Sequence, residues 1–206
     1  KRRIKRMVPV FKEYGLDQVR WGTHTRMDEA DARLHPMAES GCVYIGFGAE
    51  SASERVLTFM NKGGFILRNG LEEVSVGGQK FEVPITMTNA VRNCHETGIH
   101  PNCTWIMGYP GEELSDLKTS VAFILWQQEY WSSFHPKGTK EYENALAAVN
   151  RKMFTATAYP GTAMWDVVHP QLKKHFDISF DNFGKPVCDD NFHKYVLELD
   201  DATKVL

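Results

Sequence analysis

Four short clusters of chemistry-bearing residues each follow an apolar run: Thr23-His24-Thr25-Arg26, Gly48-Ala49-Glu50-Ser51, Gly108-Tyr109-Pro110-Gly111-Glu112 and Tyr159-Pro160-Gly161-Thr162. Glycine carries no Cβ, so backbone N–H and C=O groups at such positions can approach a ligand closely. A carboxylate such as Glu50 can accept from an amine or from ribose hydroxyls, and an arginine such as Arg26 can grip a carboxylate with two bonds. Ile106 and Met107 offer apolar surface to an aromatic ring. The combination suits a small polar ligand with an apolar part. Each residue also has a plain structural reading. Glu50 can sit in the first turn of a helix, favoured by the helix dipole. Gly108 and Gly111 can serve a tight turn, and His24 can be a satisfied, partly buried imidazole. A third reading, acid–base chemistry through Glu50, His24 or Glu112, also stays open.

Metal chemistry has less support. The cysteines, Cys42, Cys94, Cys103 and Cys188, are separated by 52, 9 and 85 residues. No CxxC or CxxxCxxC spacing exists, so sequence neighbours build no compact metal site. Scattered cysteines of this kind read as small buried hydrophobes. His169, His175 and His193 are too widely spaced to point to a metal, and no metal-ligating residue is assigned.

The elements that must position these clusters follow from periodicity. Residues 3–15 carry a helical apolar stripe, interrupted by Pro9, where a kink or a later start is expected. The pattern then predicts a strand over 18–25, a helix over 27–40 with Asp28 as N-cap, and a doubly buried strand over 42–48. A helix capped by Ser51 or Ser53 follows. Residues 63–83 read as an inserted hairpin or lid-like loop, with Val74–Val76 and Phe81–Val83 flanking Gly77-Gly78. Alternation resumes with a helix over 85–97, a strand over 102–107 and a helix over 114–130. Residues 131–150 read as a second insertion with a helix from 140 to 150, followed by a strand over 153–158 and a last helix near 192–199.

Strand and helix thus alternate four times, which implies parallel strands joined by crossovers. No GxGxxG or Walker A sequence follows a strand. The fold class is α/β, a partial (β/α) barrel of TIM-like kind, where ligand chemistry gathers at the C-terminal strand ends. Residues 1–168 form the barrel piece, with insertions at about 63–83 and 131–150, and 169–206 form a C-terminal extension.

A net charge of −2 gives no general attraction to nucleic acid or anionic membranes. The basic start, Lys1 to Arg6, reads as a solvated helix face. No apolar run approaches the ~20 residues that span a bilayer, and no signal peptide is visible, so the cytoplasm is the default location. The chain opens at Lys1 directly in helix-like sequence, which reads as a piece of a longer barrel.

Three blocks resemble the radical S-adenosylmethionine superfamily, in particular its branch fused to cobalamin-binding domains and the methylthiotransferase-like relatives. The first block is Ala38-Glu-Ser-Gly-Cys-Val-Tyr-Ile-Gly-Phe-Gly-Ala-Glu-Ser51, continued by Val56-Leu57 and Met60-Asn-Lys-Gly63. The second runs from Gly98-Ile99 through Thr104-Trp-Ile-Met-Gly-Tyr-Pro-Gly-Glu112, and the third is Tyr159-Pro-Gly-Thr162. Trp21, Arg26 and Asp28 match an earlier strand and its exit. The blocks occur in the family's order over roughly residues 1–165.

The resemblance implies a partial barrel binding S-adenosylmethionine beside a 4Fe–4S cluster, with cobalamin as a further cofactor in this branch. The cluster would cleave the sulfonium reductively and start radical chemistry on a small-molecule substrate. By resemblance, Gly48, Glu50 and Ser51 match the strand end that contacts the ribose or methionyl part. Ile106, Gly108 and Glu112 match the motif beside the adenine, with the glutamate mainly structural, and Arg26 is a weaker contact. The family's CxxxCxxC loop is absent, so this chain alone is expected to be inactive. The competing reading is a non-catalytic binding or scaffold module that keeps the barrel. An incomplete barrel also leaves its first strand with a free edge, where copies of the chain are expected to associate.

Overall fold

A computed structural model describes residues 2–16, 18–159, 161–166 and 196–197. In chain order the elements are α1 (Arg2–Glu13), β1 (Trp21–Thr25), α2 (Leu34–Glu39), β2 (Cys42–Glu50), α3 (Glu54–Phe59), α4 (Gly63–Ile66), β3 (Leu71–Val76), β4 (Gln79–Pro84), α5 (Ile85–Thr97), β5 (His100–Met107), α6 (Leu114–Ser132), α7 (Lys140–Ala148), β6 (Met153–Thr155) and β7 (Val196–Leu197). β1, β2, β5 and β6 lie side by side in that order, all parallel, and β7 joins β6 antiparallel. The sheet is open: β1 has no strand on its outer edge among the described residues. No helix among the described residues is long and apolar enough to cross a membrane.

The two faces of this sheet differ in kind. Ile45, Phe47 and Ala49 of β2, with Cys103 and Trp105 of β5, are almost fully buried on the helix side. There they join one core with Met87 and Val91 of α5 and Val121, Phe123 and Ile124 of α6. Trp105 meets Phe123 with ring centroids 5.5 Å apart. On the other face the side chain of β1 residue His24 lies over Gly46 of β2, and the Tyr44 ring lies over Gly22.

Three local departures from the periodic pattern have visible causes. The helix expected over 27–40 breaks into a short 3₁₀ turn at Met27–Glu29 and α2. Asp31 Oδ1 accepts from the Arg33 backbone N–H at 3.0 Å, a local side-chain turn that competes with the helix. Asp28, buried, is not a cap but a partner of Arg26. Helix α1 runs through Pro9 without ending. Of the helix expected near 192–199, only Val196–Leu197 are described, and they form β7.

The 63–83 insertion forms α4 and the β3–β4 hairpin, which packs against α5 and α6 on the helix side of the sheet. Val74, Val76 and Val83 are its buried face. Glu72 anchors it to α5 through Arg92 at 2.9 Å and through the Thr88 hydroxyl. The hairpin reading holds; none of its residues lines the cavity described below.

At the opposite end from the strand C-termini, two histidines sit among aromatic rings. His95 stacks on Phe134 at 3.7 Å and stands perpendicular to Trp131 at 5.1 Å, while His100 meets Trp131 edge-on at 6.2 Å. Burial pushes both imidazoles below their ordinary pKa, assisted at His95 by nearby His135 and opposed by Glu96, and opposed at His100 by a backbone bond to Ala148. In the unfolded chain these histidines take up protons near pH ~6.5; in the folded chain they do so only at lower pH. The unfolded state therefore binds more protons in that window, and stability falls as pH drops through it. Melting is expected at a lower temperature at pH 5.5 than at pH 7.5, and His95→Gln with His100→Gln should narrow that difference. A gap left unchanged by the double variant would show that other groups set it.

Candidate functional site

The parallel ladder directs the C-terminal ends of β2, β5 and β6 to one side, and there an open cavity of about 500 Å³ is found. Its floor and walls include Ile106 of β5, Phe154 and Thr155 of β6, Tyr109 of the loop after β5, and Met60 and Lys62 from the segment after α3. Among the described residues that line it, only Glu50 and Lys62 are charged.

Glu50 reaches the cavity through a local distortion. The β2–β5 register slips between Gly48 and Glu50, a bulge that re-aims the following side chain. Glu50 also has φ +63°, left-handed for a non-glycine residue, at a cost of about 1–2 kcal/mol. Lys62 Nζ donates to Glu50 Oε1 at 2.6 Å. Gly48 makes room for this pair: a Cβ there would stand 2.7 Å from Glu50 Oε1 and 3.6 Å from Lys62 Nζ. The strain, the bulge and the glycine all serve the same carboxylate.

The loop after β5 is held by Glu112. Gly108 and Gly111 adopt φ +75° and +87°, conformations open to glycine. Glu112 Oε2 accepts from the backbone N–H of Gly108, a short contact, and from that of Tyr109 at 3.3 Å. Burial pushes the Glu112 carboxyl up, against the two N–H bonds that favour its charge. Its Oε1 is buried without a hydrogen-bond partner among the described residues. Glu112 thus fixes the loop from which Tyr109 faces the cavity.

Of the residues singled out in the sequence, Glu50 and Ile106 line the cavity, with Gly48 against the Glu50–Lys62 pair and Gly108 and Glu112 in the loop that carries Tyr109. Ser51 does not face the cavity. Its side chain is fully buried, 3.1 Å from Ser120 Oγ, and it accepts from the Ser53 N–H at 3.1 Å. Arg26 also lies apart, paired with Asp28 at 2.8 and 2.9 Å and stacked 4.0 Å over Phe65. The turn after β6 places Tyr159 at the cavity, its carbonyl accepting from Thr162 Oγ1 at 2.7 Å, while Pro160 lies outside the described residues.

Sequence reasoning singled out neither Lys62 nor Phe154 for a role. Lys62 is 12 residues from Glu50, and the bend after α3 that unites them has no periodic signature. Phe154 could have been found: register puts it opposite Ile106 on the same face.

Cys42, Cys94 and Cys103 are buried free thiols. Burial pushes Cys94 up to about 12 and Cys103 upward as well. Among the described residues no group of three His, Cys, Asp or Glu side chains could hold a metal ion.

No family model matches the chain. It is 26% identical over 158 residues to an uncharacterised methyltransferase of Pyrococcus horikoshii, a match covering 76% of this chain and 26% of that protein. The chain therefore spans about a quarter of the length of this curated relative. Its fold is similar to TsrM from Kitasatospora setae, a radical S-adenosylmethionine methyltransferase solved with cobalamin and a 4Fe–4S cluster, at TM-score 0.51 and 18% identity over 90% of this chain and 30% of that one. It is also similar to OxsB, a cobalamin-dependent S-adenosylmethionine radical enzyme solved with aqua-cobalamin, at TM-score 0.51 and 15% identity over 92% of this chain and 30% of that one. At these identities the likeness to the solved structures is one of fold.

Proposed function

We propose that this chain is the later part of a cytoplasmic radical S-adenosylmethionine barrel of the cobalamin-binding branch, that it holds the cofactor in the cavity at the ends of β2, β5 and β6, and that the whole protein transfers methyl groups. The observation that carries this reading is the ion pair Glu50–Lys62, 2.6 Å long, at one side of an otherwise neutral and largely apolar cavity. An opposite-charge pair complements an amino acid zwitterion: Glu50 would take the ammonium or a ribose hydroxyl, and Lys62 the carboxylate. Ile106, Phe154 and Tyr109 offer the apolar and aromatic surface that an adenine needs. The methyltransferase name of the Pyrococcus relative and the two similar folds support the same reading.

Bound S-adenosylmethionine supplies an activated methyl group and, on one-electron reduction, a 5′-deoxyadenosyl radical. This chain's own residues bind and orient. Glu112 keeps the Gly108–Gly111 loop in place, and Gly48 keeps the ion pair accessible. The 4Fe–4S cluster does not fit the residues described: the three thiols are buried and dispersed in sequence, and burial raises each of them above its ordinary pKa. No cluster or cobalamin ligand is assigned to them. The alternative, a binding module without catalysis, would use the same cavity.

Calorimetric titration of the chain with S-adenosylhomocysteine and with 5′-methylthioadenosine tests the site. The first carries the amino acid moiety and the second does not. Two charge-assisted hydrogen bonds should favour the first by about 10-fold or more. Glu50→Gln combined with Lys62→Met should bring the two ligands to parity. Absence of binding by either nucleoside at millimolar concentration would end the reading.

A further inference from the structure

Phe59, the last residue of α3, is 47% exposed and stands outside the buried core. Burial of apolar surface therefore gives little reason for a large ring at this position. Its neighbours give another. A Cβ on Gly111 would stand 3.2 Å from Phe59 Cε2 and 3.5 Å from Cδ2, so the ring rests against the place a side chain would occupy. One turn earlier on α3, the Arg55 guanidinium stands 5.6 Å from the ring centroid, and Arg55 is itself held by Asp116 and Glu113.

The loop that Phe59 touches is closed by its own bonds. The Glu112 N–H donates to the Tyr109 carbonyl at 2.8 Å, and the Glu112 carboxylate accepts from the Gly108 and Tyr109 N–H groups. These bonds fix the shape of the loop but do not tie it to α3. The Phe59 ring seated on Gly111 does. Tyr109, two residues before Gly111, lines the cavity. Where the ring sits therefore sets where the phenol stands. A ring with two side-chain torsions offers a fixed surface at low entropic cost, which suits it to a supporting role.

We propose that Phe59 is a positioning residue for the cavity: its ring docks the 108–112 loop against α3 and so places Tyr109 for the base end of the ligand. This rests on the reading of the cavity as a nucleoside site. The charged end is set by a different contact, Lys62 to Glu50. Loss of Phe59 should loosen the hold on the base and leave the preference for an amino acid moiety untouched.

A double-substitution cycle on the chain, read by calorimetric titration, tests this. Phe59→Ala should weaken S-adenosylhomocysteine and 5′-methylthioadenosine alike, by about fivefold or more, and keep the ratio between them. Phe59→Tyr, which retains the ring, should bind both as the unsubstituted chain does. Tyr109→Ala should cause a similar loss, and adding Phe59→Ala to it should cost little more, because the ring acts through the phenol. Additive losses, a changed ratio, or a Tyr variant as weak as the Ala variant would overturn the proposal. A measurement without ligand separates it from the reading of the cavity. In amide-resolved NMR, Phe59→Ala should shift the Gly108, Tyr109 and Gly111 amides and speed hydrogen exchange at the first two. Unshifted loop amides would overturn the docking even if affinity falls. Shifted amides, with neither nucleoside bound by the unsubstituted chain, would sink the reading of the cavity and support the dock.

Discussion

Trp105→Ala lowers the thermal midpoint of this chain by roughly 6–20 °C. The indole is completely buried at the centre of the core, on the helix side of β5. Truncating a buried Trp typically costs about 3–5 kcal/mol in lost transfer energy and residual cavity. For a domain of this size each kcal/mol moves the midpoint by about 2–4 °C. The companion substitution sharpens the argument. Trp105 Nε1 is buried with no hydrogen-bond partner among the described residues, so the polar edge of the indole makes no bond to them. Trp105→Phe keeps most of the apolar bulk against Phe123 and removes that unpaired donor, and should cost no more than about 1.5 kcal/mol. Calorimetric or circular dichroism melts of the two variants check the pair. A Phe variant as damaged as the Ala variant would show that the indole N–H has a partner after all, a bound water for example.

Asp116→Ala has the second large effect, and it reaches the cavity. Asp116, in the first turn of α6, is almost wholly buried and gathers the start of two helices. It accepts from Ser53 Oγ at 2.6 Å and from the Glu113 N–H at 2.8 Å, and it makes a short ion pair with Arg55. Burial opposes its charge, but the bonds from Arg55, Ser53 and Glu113 outweigh that and hold the carboxyl below the usual range. Removing it leaves a buried hydroxyl and a helix N–H unpaired, a loss of roughly 2–4 kcal/mol. Because the folded pKa is depressed, this stability is present above the unfolded Asp pKa of ~3.9 and is lost as pH falls through the lower, folded value. The chain that leaves α3 delivers Met60 and Lys62 to the cavity. Loosening the α3–α6 clamp should therefore weaken S-adenosylhomocysteine binding as well as lower the midpoint. Stability lost with unchanged affinity would show that Lys62 is held by other contacts.

The sequence was most legible where one physical pressure acts alone. The second strand is a long apolar run ending in Gly48-Ala-Glu50, and it forms as expected, two residues longer. The hairpin is equally plain: Gly77 and Gly78 take φ +57° and +80°, as a two-residue turn demands. Legibility failed where side chains compete with the backbone. Met27 to Ser40 has a helical composition, but Asp28 serves Arg26 and Asp31 closes on Arg33, so the helix begins only at Leu34. The strand at 153–158 shortens to Met153–Thr155, beyond which the chain gives up the regular ladder and lines the cavity. At the candidate site, Glu50 stood out as a carboxylate after a strand. Its left-handed backbone and its partner Lys62 depend on a bulge and a bend that no spacing encodes. Ser51 illustrates the converse: a hydroxyl next to Glu50 in sequence, just past the end of β2, turns to α6 on the helix side of the sheet and pairs with Ser120.

The β3–β4 hairpin carries a practical consequence for anyone who wants to hold this protein on a surface. Its Gly77-Gly78 tip is exposed, joins two strands that among the described residues pair only with each other, and belongs to the helix side of the sheet. Lengthening a loop costs little, about 0.6 kcal/mol for each doubling. A biotin-acceptor peptide or a fluorescent module spliced between those glycines would tether the molecule by its back and leave the strand C-termini facing the solution.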